Sequence, residues 1–366
     1  MKIQNVNSIS YRPTYFGNGF DSAYFSKRQI ELNNELQKVI NESEKPINSS
    51  DFLYIMNKKE EFNSRLYYIT EQYKELNSIT SAIGDDGQNM KIVEEFNNKR
   101  KHMNKDTGFN KIIGYQNIKD KLDLEFSIKT ILKSQVQEGV NVPNAYLFFG
   151  PSGCGKTSFA QALAEQSLSK YYNINAINKD EQEVLDEIID YAMDSKQNYK
   201  NSKVKQRGII VLNECQHALY EDSPVLPKFE EFIKNCSNEY KCTLFLTANY
   251  PLDVSKRILS TIPKSQIIPI PAPDENITRD YFAVKFKDIG ADIDIDKVTK
   301  ELFKNKEKIY SFSDYKNLLE RNLAKFGKEL NLDTILYIIH SDSIMPSLKI
   351  RDILSFENAK KVLQLR

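Results

Sequence analysis

The chain has 366 residues, 40% of them hydrophobic, with 51 basic and 50 acidic side chains. That length allows two or three domains around a sizeable core, and the balanced charge excludes a global pull toward nucleic acid. No apolar run approaches the roughly 18 residues that would cross a bilayer, which excludes a membrane-spanning role of that kind.

The opening MKIQNVNSIS lacks the apolar stretch of a secretory signal. The four cysteines (Cys154, Cys215, Cys236, Cys242) show neither zinc nor disulfide spacing. The expected setting is therefore cytoplasmic. Residues 1–25 are polar and aperiodic and are expected to form a flexible tail. From 26 to 105 the pattern is helical. Leu32, Leu36, Val39 and Ile40 mark one amphipathic helix. Phe52, Ile55, Phe62, Leu66, Ile69, Tyr73 and Leu76 follow at steps of three and four, with Lys59 interrupting. Asn48-Ser49-Ser50-Asp51 supplies a helix start and Gly84-Asp85-Asp86-Gly87 a turn. This segment reads as a helical hairpin packed on itself or on the core, or as a coiled-coil arm that docks a protein partner.

Between 106 and 272 short apolar strands alternate with helices: Ala145–Phe149, Ile209–Leu212, Thr243–Thr247 and Ile267–Ile270. Such alternation predicts an α/β fold with a parallel sheet covered on both faces. After Pro271-Ala-Pro273 the strands stop, and 273–366 reads as a smaller helical domain.

The sharpest motif is Gly150-Pro151-Ser152-Gly153-Cys154-Gly155-Lys156-Thr157, with Ser158 following. It sits between the strand AYLFF and the amphipathic helix SFAQALAEQSL. Glycines let backbone N–H groups converge on phosphate oxygens, and the helix N-terminus adds its positive dipole end. Lys156 is placed to reach the β- and γ-phosphates of ATP, and the Thr157 hydroxyl to ligate Mg2+. Farther on, the strand Ile209–Leu212 ends in Asn213-Glu214, the position of a Walker B pair, and Thr243–Thr247 ends in Ala248-Asn249. A polar side chain there can hold water against a γ-phosphate. Upstream, Ile112-Ile113-Gly114 opens a helix ahead of the phosphate loop.

With these elements the chain resembles the AAA+ family of P-loop ATPases over about 106–366. By that resemblance Ile113 and Gly114 contact adenine, and Glu214 of the Walker B pair polarises the attacking water. Asn213 joins Thr157 at the metal, and Asn249 positions the water. Ile268–Asp274 resembles the end of the last core strand, and Ser311–Leu319 a helix start in a C-terminal lid. The resemblance implies a five-stranded sheet with a helical lid, self-association into rings, and an enzyme that hydrolyses Mg-ATP to remodel or load a macromolecular partner. The alternative is a nucleotide-gated scaffold that binds ATP with little turnover. A third reading, a clamp-loader-like subunit, rests on Leu259-Ser260-Thr261, where Thr261 takes the place of an Arg.

Three departures matter. Asn213 replaces the usual Asp and lacks the charge that balances Mg2+. No Arg stands near Pro263-Lys264, where a finger reaching a neighbouring subunit is expected, leaving Arg257 and Lys264, each read first as a surface charge. The stretch Ala176–Val184 has no aromatic–Gly pore loop, and Tyr171-Tyr172, which come before it, are expected to pack in the second strand or next to it. Other residues add little. Cys154 is expected to face outward in an electropositive loop that lowers its thiol pKa. Cys215 and His217 lack further metal ligands, His102 and His340 stand alone, and Lys196–Arg207 reads as an exposed loop that could touch nucleic-acid phosphates.

Overall fold

In the computed structural model, residues 23–43, scattered positions between 58 and 100, 103–104, 106–135, 140–201, 205–327, 330–341 and 345–364 are described. Most of the tail, the start at Asn48–Asp51, Phe52, Ile55, the turn at Gly84–Gly87 and His102 lie outside them. Backbone contacts divide the chain into two compact units, Met1–His102 with Lys121–Asn141 and Met103–Asp120 with Val142–Arg366.

In the first unit, α1 (Ala23–Ser43) begins inside the segment read as tail. Its Leu32 and Val39 are fully buried, in a cluster with Phe62, Ile69, Tyr73 and Leu76. Leu124, Ile128 and Leu132 complete that cluster. The described part of the heptad seam is thus covered within its own unit, so it is not the open face a docking arm requires. A partly buried ion pair between Arg100 and Asp123, 2.5 Å apart, joins the two chain segments of this unit.

The second unit holds α2 (Gln116–Leu122) up to Asp120 and a five-stranded sheet. Its strands are β1 (Ala145–Phe149), β2 (Lys170–Asn175), β3 (Gly208–Asn213), β4 (Cys242–Ala248) and β5 (Ile267–Pro269). They pair in the order β2-β3-β4-β1-β5, and every pairing is parallel. β1 and β4 are buried at every position, which is why they read as continuous apolar runs rather than alternating ones. The helices α3 (Lys156–Gln166), α4 (Glu181–Asn201), α5 (Leu226–Asn235) and α6 (Lys256–Thr261) connect the strands.

Tyr171 and Tyr172 lie in β2 itself, paired with Ile209 and Ile210, so of the placements the sequence allows it is the one within the strand that holds. The stretch Lys196–Arg207 is not simply an exposed loop, because α4 runs to Asn201 and Arg207 is 2% exposed. The Arg207 guanidinium donates to the Ser237 carbonyl and hydroxyl, both at 2.7 Å, so its charge faces inward.

Beyond the sheet come α7 (Glu275–Ile289), α8 (Ile295–Lys304), α9 (Phe312–Phe326), α10 (Leu332–His340) and α11 (Ile350–Gln364). Four of them share an apolar cluster built on Phe282, Phe286, Val298, Tyr315 and Ile335. α11 instead returns to the sheet: Phe356, Ala359 and Leu363 join the core there, and the Phe356 ring lies 5.7 Å from that of Phe149. The sequence pattern shows a helix there but not which core it serves. Among the described residues no helix is long and apolar enough to cross a membrane.

α9 starts with a capping box, Ser311 at the cap and Asp314 three residues on. Asp314 Oδ2 also accepts from Ser347 N at 3.1 Å and Ser347 Oγ at 2.8 Å, in addition to Ser311 N at 2.7 Å. One buried carboxylate therefore joins the start of α9 to the segment leading into α11. Asp314→Ala strands two backbone N–H groups and is expected to destabilise the protein by about 2–3 kcal/mol. Urea unfolding measures this, and an unchanged midpoint would contradict the anchor.

Candidate functional site

The loop after β1 is shaped by what packs on it. A Cβ at Gly150 would lie 2.0 Å from the Ile270 carbonyl oxygen. At Gly153, with φ +72°, one would lie 2.7 Å from Ser311 Oγ. The first approach comes from the chain leaving β5 and the second from the cap of α9. Glycine is needed at both, and the loop is held between sheet and helical region. Gly155, at the cap of α3, also has positive φ.

Lys156 is 6% exposed. Its ammonium donates to Gly150 O at 2.9 Å, Pro151 O at 3.0 Å and Asn249 Oδ1 at 2.6 Å. Burial lowers its pKa from the usual lysine range, and the nearby Glu214 carboxylate works against that drop. Asn249, just beyond β4, donates its amide to both Glu214 oxygens at 2.8 Å. Gln216 Nε2 donates to Glu214 Oε2, also at 2.8 Å. Glu214 itself sits in the left-handed region at φ 53°, its N–H turned toward the Thr247 hydroxyl. The result is a continuous chain from ammonium through carboxamide to carboxylate.

Beside it, Thr157 Oγ1 donates to Asn213 Oδ1 at 2.6 Å, and Thr247 Oγ1 approaches the same oxygen at 3.2 Å. These are hard oxygen ligands of the kind that Mg2+ takes together with phosphate oxygens, so the residues fit that ion. Among the described residues no cluster of three or more His, Cys, Asp or Glu could hold a metal alone.

A cavity of about 710 Å³ opens over the loop, lined by Ser152 to Phe159 and by Glu214. Ile112, Ile113 and Tyr115 form one wall, and Tyr281, Ile289 and Phe312 face it from the helical region. Lys111, Lys285 and Lys316 add positive charge. Asp288 and Glu320 lie on the same lining, so the buried Lys156 at the loop is the cation best placed for phosphate, and the largely apolar recess beside it suits an attached base. Of the residues singled out in the sequence, Ile113, Ser152 to Ser158 and Glu214 line this space. Gly150, Pro151, Asn213 and Asn249 stand behind it. Gly114 packs against α7, where a Cβ would lie 2.8 Å from Ile277 Cγ1.

The sequence did not point to Tyr115, Tyr281 or Phe312. Tyr115 holds its place by donating to the Pro271 carbonyl at 2.7 Å and by edge contacts with Phe159 and Phe312. It follows Gly114 directly, but its partners come from distant parts of the chain. Neither Arg257 nor Lys264 lines the cavity, and Arg257 is ion-paired with Glu230. Cys215 is buried in the core cluster, whereas His217 is exposed.

Cys154 is a correction. It is fully buried rather than outward-facing, and burial pushes its thiol up to about 12, outweighing the Lys156 charge that favours the thiolate. The cap of α9 closes over this part of the loop, and Asp314 adds a further upward push.

Residues 146–270 match the sequence model of AAA, the ATPase family associated with various cellular activities. The chain carries an AAA ATPase-family domain. Within the AAA segment the loop, the Asn213-Glu214 pair and Asn249 all fall inside the matched range. A stretch of 125 residues is 31% identical to the replication factor C large subunit of Methanococcus aeolicus; it is 33% of this chain and spans 24% of that relative. Among solved structures, the FIGL-1 AAA domain in complex with ADP aligns with TM-score 0.52 at 14% identity, over 74% of this chain and 97% of that one. A katanin chain from a structure of katanin self-assembly aligns at 0.49, also with 14% identity, over 73% and 95%. At such identity the FIGL-1 likeness speaks to fold alone.

Burial of Cys154 has a direct consequence. At pH 8 its thiol stays protonated and shielded, so iodoacetamide is expected to leave Cys154 unmodified in the folded protein and to alkylate it after denaturation. Peptide mass mapping reads this out. Rapid labelling of Cys154 in the folded protein would contradict the geometry.

Proposed function

We propose that this protein binds Mg-ATP in the cavity over Gly150–Ser158 and hydrolyses it, using the cycle to change its hold on a macromolecular partner. The observation that carries this reading is the hydrogen-bonded chain Lys156–Asn249–Glu214 set beside Thr157 and Asn213. The loop amides and Lys156 hold phosphates, with Ile113 and Tyr115 against the base. Thr157 and Asn213 offer oxygens to magnesium, which when bound neutralises charge on the β- and γ-phosphates. Glu214 accepts the proton of the attacking water, and Asn249 orients both. A phosphate that draws Lys156 away from Asn249 frees the carboxamide oxygen and loosens its grip on Glu214.

Turnover by the isolated chain is slow in this account. Asn213 brings no charge, Glu214 is engaged by two amide donors, and Arg257 is occupied by Glu230. Self-association that brings a cation to the γ-phosphate would raise the rate. A second reading, a replication-associated subunit, draws on the identity to the replication factor C large subunit. Salt-dependent binding to DNA would favour it.

Single-turnover hydrolysis and nucleotide binding test the main reading together. Glu214→Gln is expected to keep ATP binding and to lose about 10²-fold or more in rate, the contribution of a positioned general base. Lys156→Ala is expected to lose ATP binding. Equal rates for wild type and Glu214→Gln would refute the hydrolytic role.

A further inference from the structure

Asn213 is an amide where a carboxylate would offer two equivalent oxygens, so one of its two faces must be chosen. Only Oδ1 can serve a cation; Nδ2 turned the same way would repel it. The surroundings make the choice. Nδ2 donates to Asn173 Oδ1 at 2.5 Å and leans on the Ile174 carbonyl at 3.4 Å. Oδ1 is thereby left toward the Thr157 and Thr247 hydroxyls. Turned over, the amide would set its oxygen against two acceptors.

This arrangement follows from the parallel register. Asn175 pairs with Asn213, and Asn173, two residues back, stands on the same face of the edge strand β2. The Tyr171 hydroxyl also approaches Asn173 Oδ1, at 3.4 Å.

We propose that Asn173 is a positioning residue that fixes the Asn213 amide with its oxygen toward the magnesium position, so that the Asn213–Asn173 pair stands in for a single carboxylate. The inference rests on the Mg-ATP reading above. Asn173 touches neither Thr157 nor the loop in the contacts described. Its effect passes through Asn213, as hydrogen-bonded partners of metal ligands generally act. An Asp at 213 would need no such orientation, since both its oxygens are alike.

The test is a double-mutant cycle read on binding rather than turnover. Affinity for N-methylanthraniloyl-ADP is measured in EDTA, and Mg2+ is then titrated, for wild type, Asn173→Ala, Asn213→Asp and the double variant. Asn173→Ala is expected to leave the EDTA affinity unchanged and to weaken apparent Mg2+ affinity about tenfold. In the Asn213→Asp background the same change is expected to have no effect on Mg2+ affinity. An equal loss in both backgrounds, no loss in either, or a loss already present in EDTA would overturn the positioning role. Failure of wild type to bind the nucleotide, or to respond to Mg2+, would overturn the Mg-ATP reading itself and the inference with it.

Discussion

A buried ammonium needs partners that stay in place, and the arrangement around Lys156 supplies them from three parts of the fold. Two are carbonyls of its own loop, Gly150 and Pro151, and the third is the Asn249 carboxamide at the end of β4. Burial disfavours the charge, so these acceptors and the Glu214 carboxylate beyond Asn249 hold it against desolvation. The order of the sheet makes this meeting possible. β1 must lie directly beside β4, and β4 beside β3, for the ammonium, carboxamide and carboxylate to meet. The loop's backbone is fixed in turn by the close approach of Ile270 at Gly150 and of Ser311 at Gly153.

The second approach links the phosphate loop to the helical region. Ser311 caps α9, and its neighbour Asp314 gathers donors from Ser311 and Ser347. α11 then returns to the sheet through Phe356. Movement of α9 relative to the loop would therefore be felt at Gly153 and, through the same helix start, at the segment before α11. Tyr115 adds a second tie, joining Pro271, Phe159 and Phe312 around the cavity wall. In the proposed cycle these contacts carry the presence of nucleotide from the loop to the rest of the unit.

Much of this was legible because its signals are local. The loop glycines and Lys156, the apolar runs of β1, β3 and β4, and the polar residues ending β3 and β4 each announce themselves within a few residues. A parallel sheet then brings those strand ends together. What sequence reasoning missed depends on distant partners. The sequence places Cys154 facing outward because nothing near it says that a helix cap more than 150 residues later covers the loop. Arg207 looks like part of a solvated run in sequence because Ser237, which receives its guanidinium, lies on the far side of β3 along the chain. The aromatic wall of Tyr115, Tyr281 and Phe312 has no spacing to betray it. Asn173 shows itself only once the register of β2 against β3 is known. The heptad seam was visible as periodicity, but the pattern alone could not say that Leu32, Val39 and Leu124 cover it.

The central claim is that the loop between β1 and α3 holds nucleotide phosphates through its backbone N–H groups. Hydrogen–deuterium exchange of peptides spanning residues 150–158, with and without Mg-ADP, tests it most directly. Slower exchange on adding nucleotide in that peptide, and smaller slowing in one covering α8, is the expected result. Identical exchange in the loop at saturating nucleotide would contradict the account.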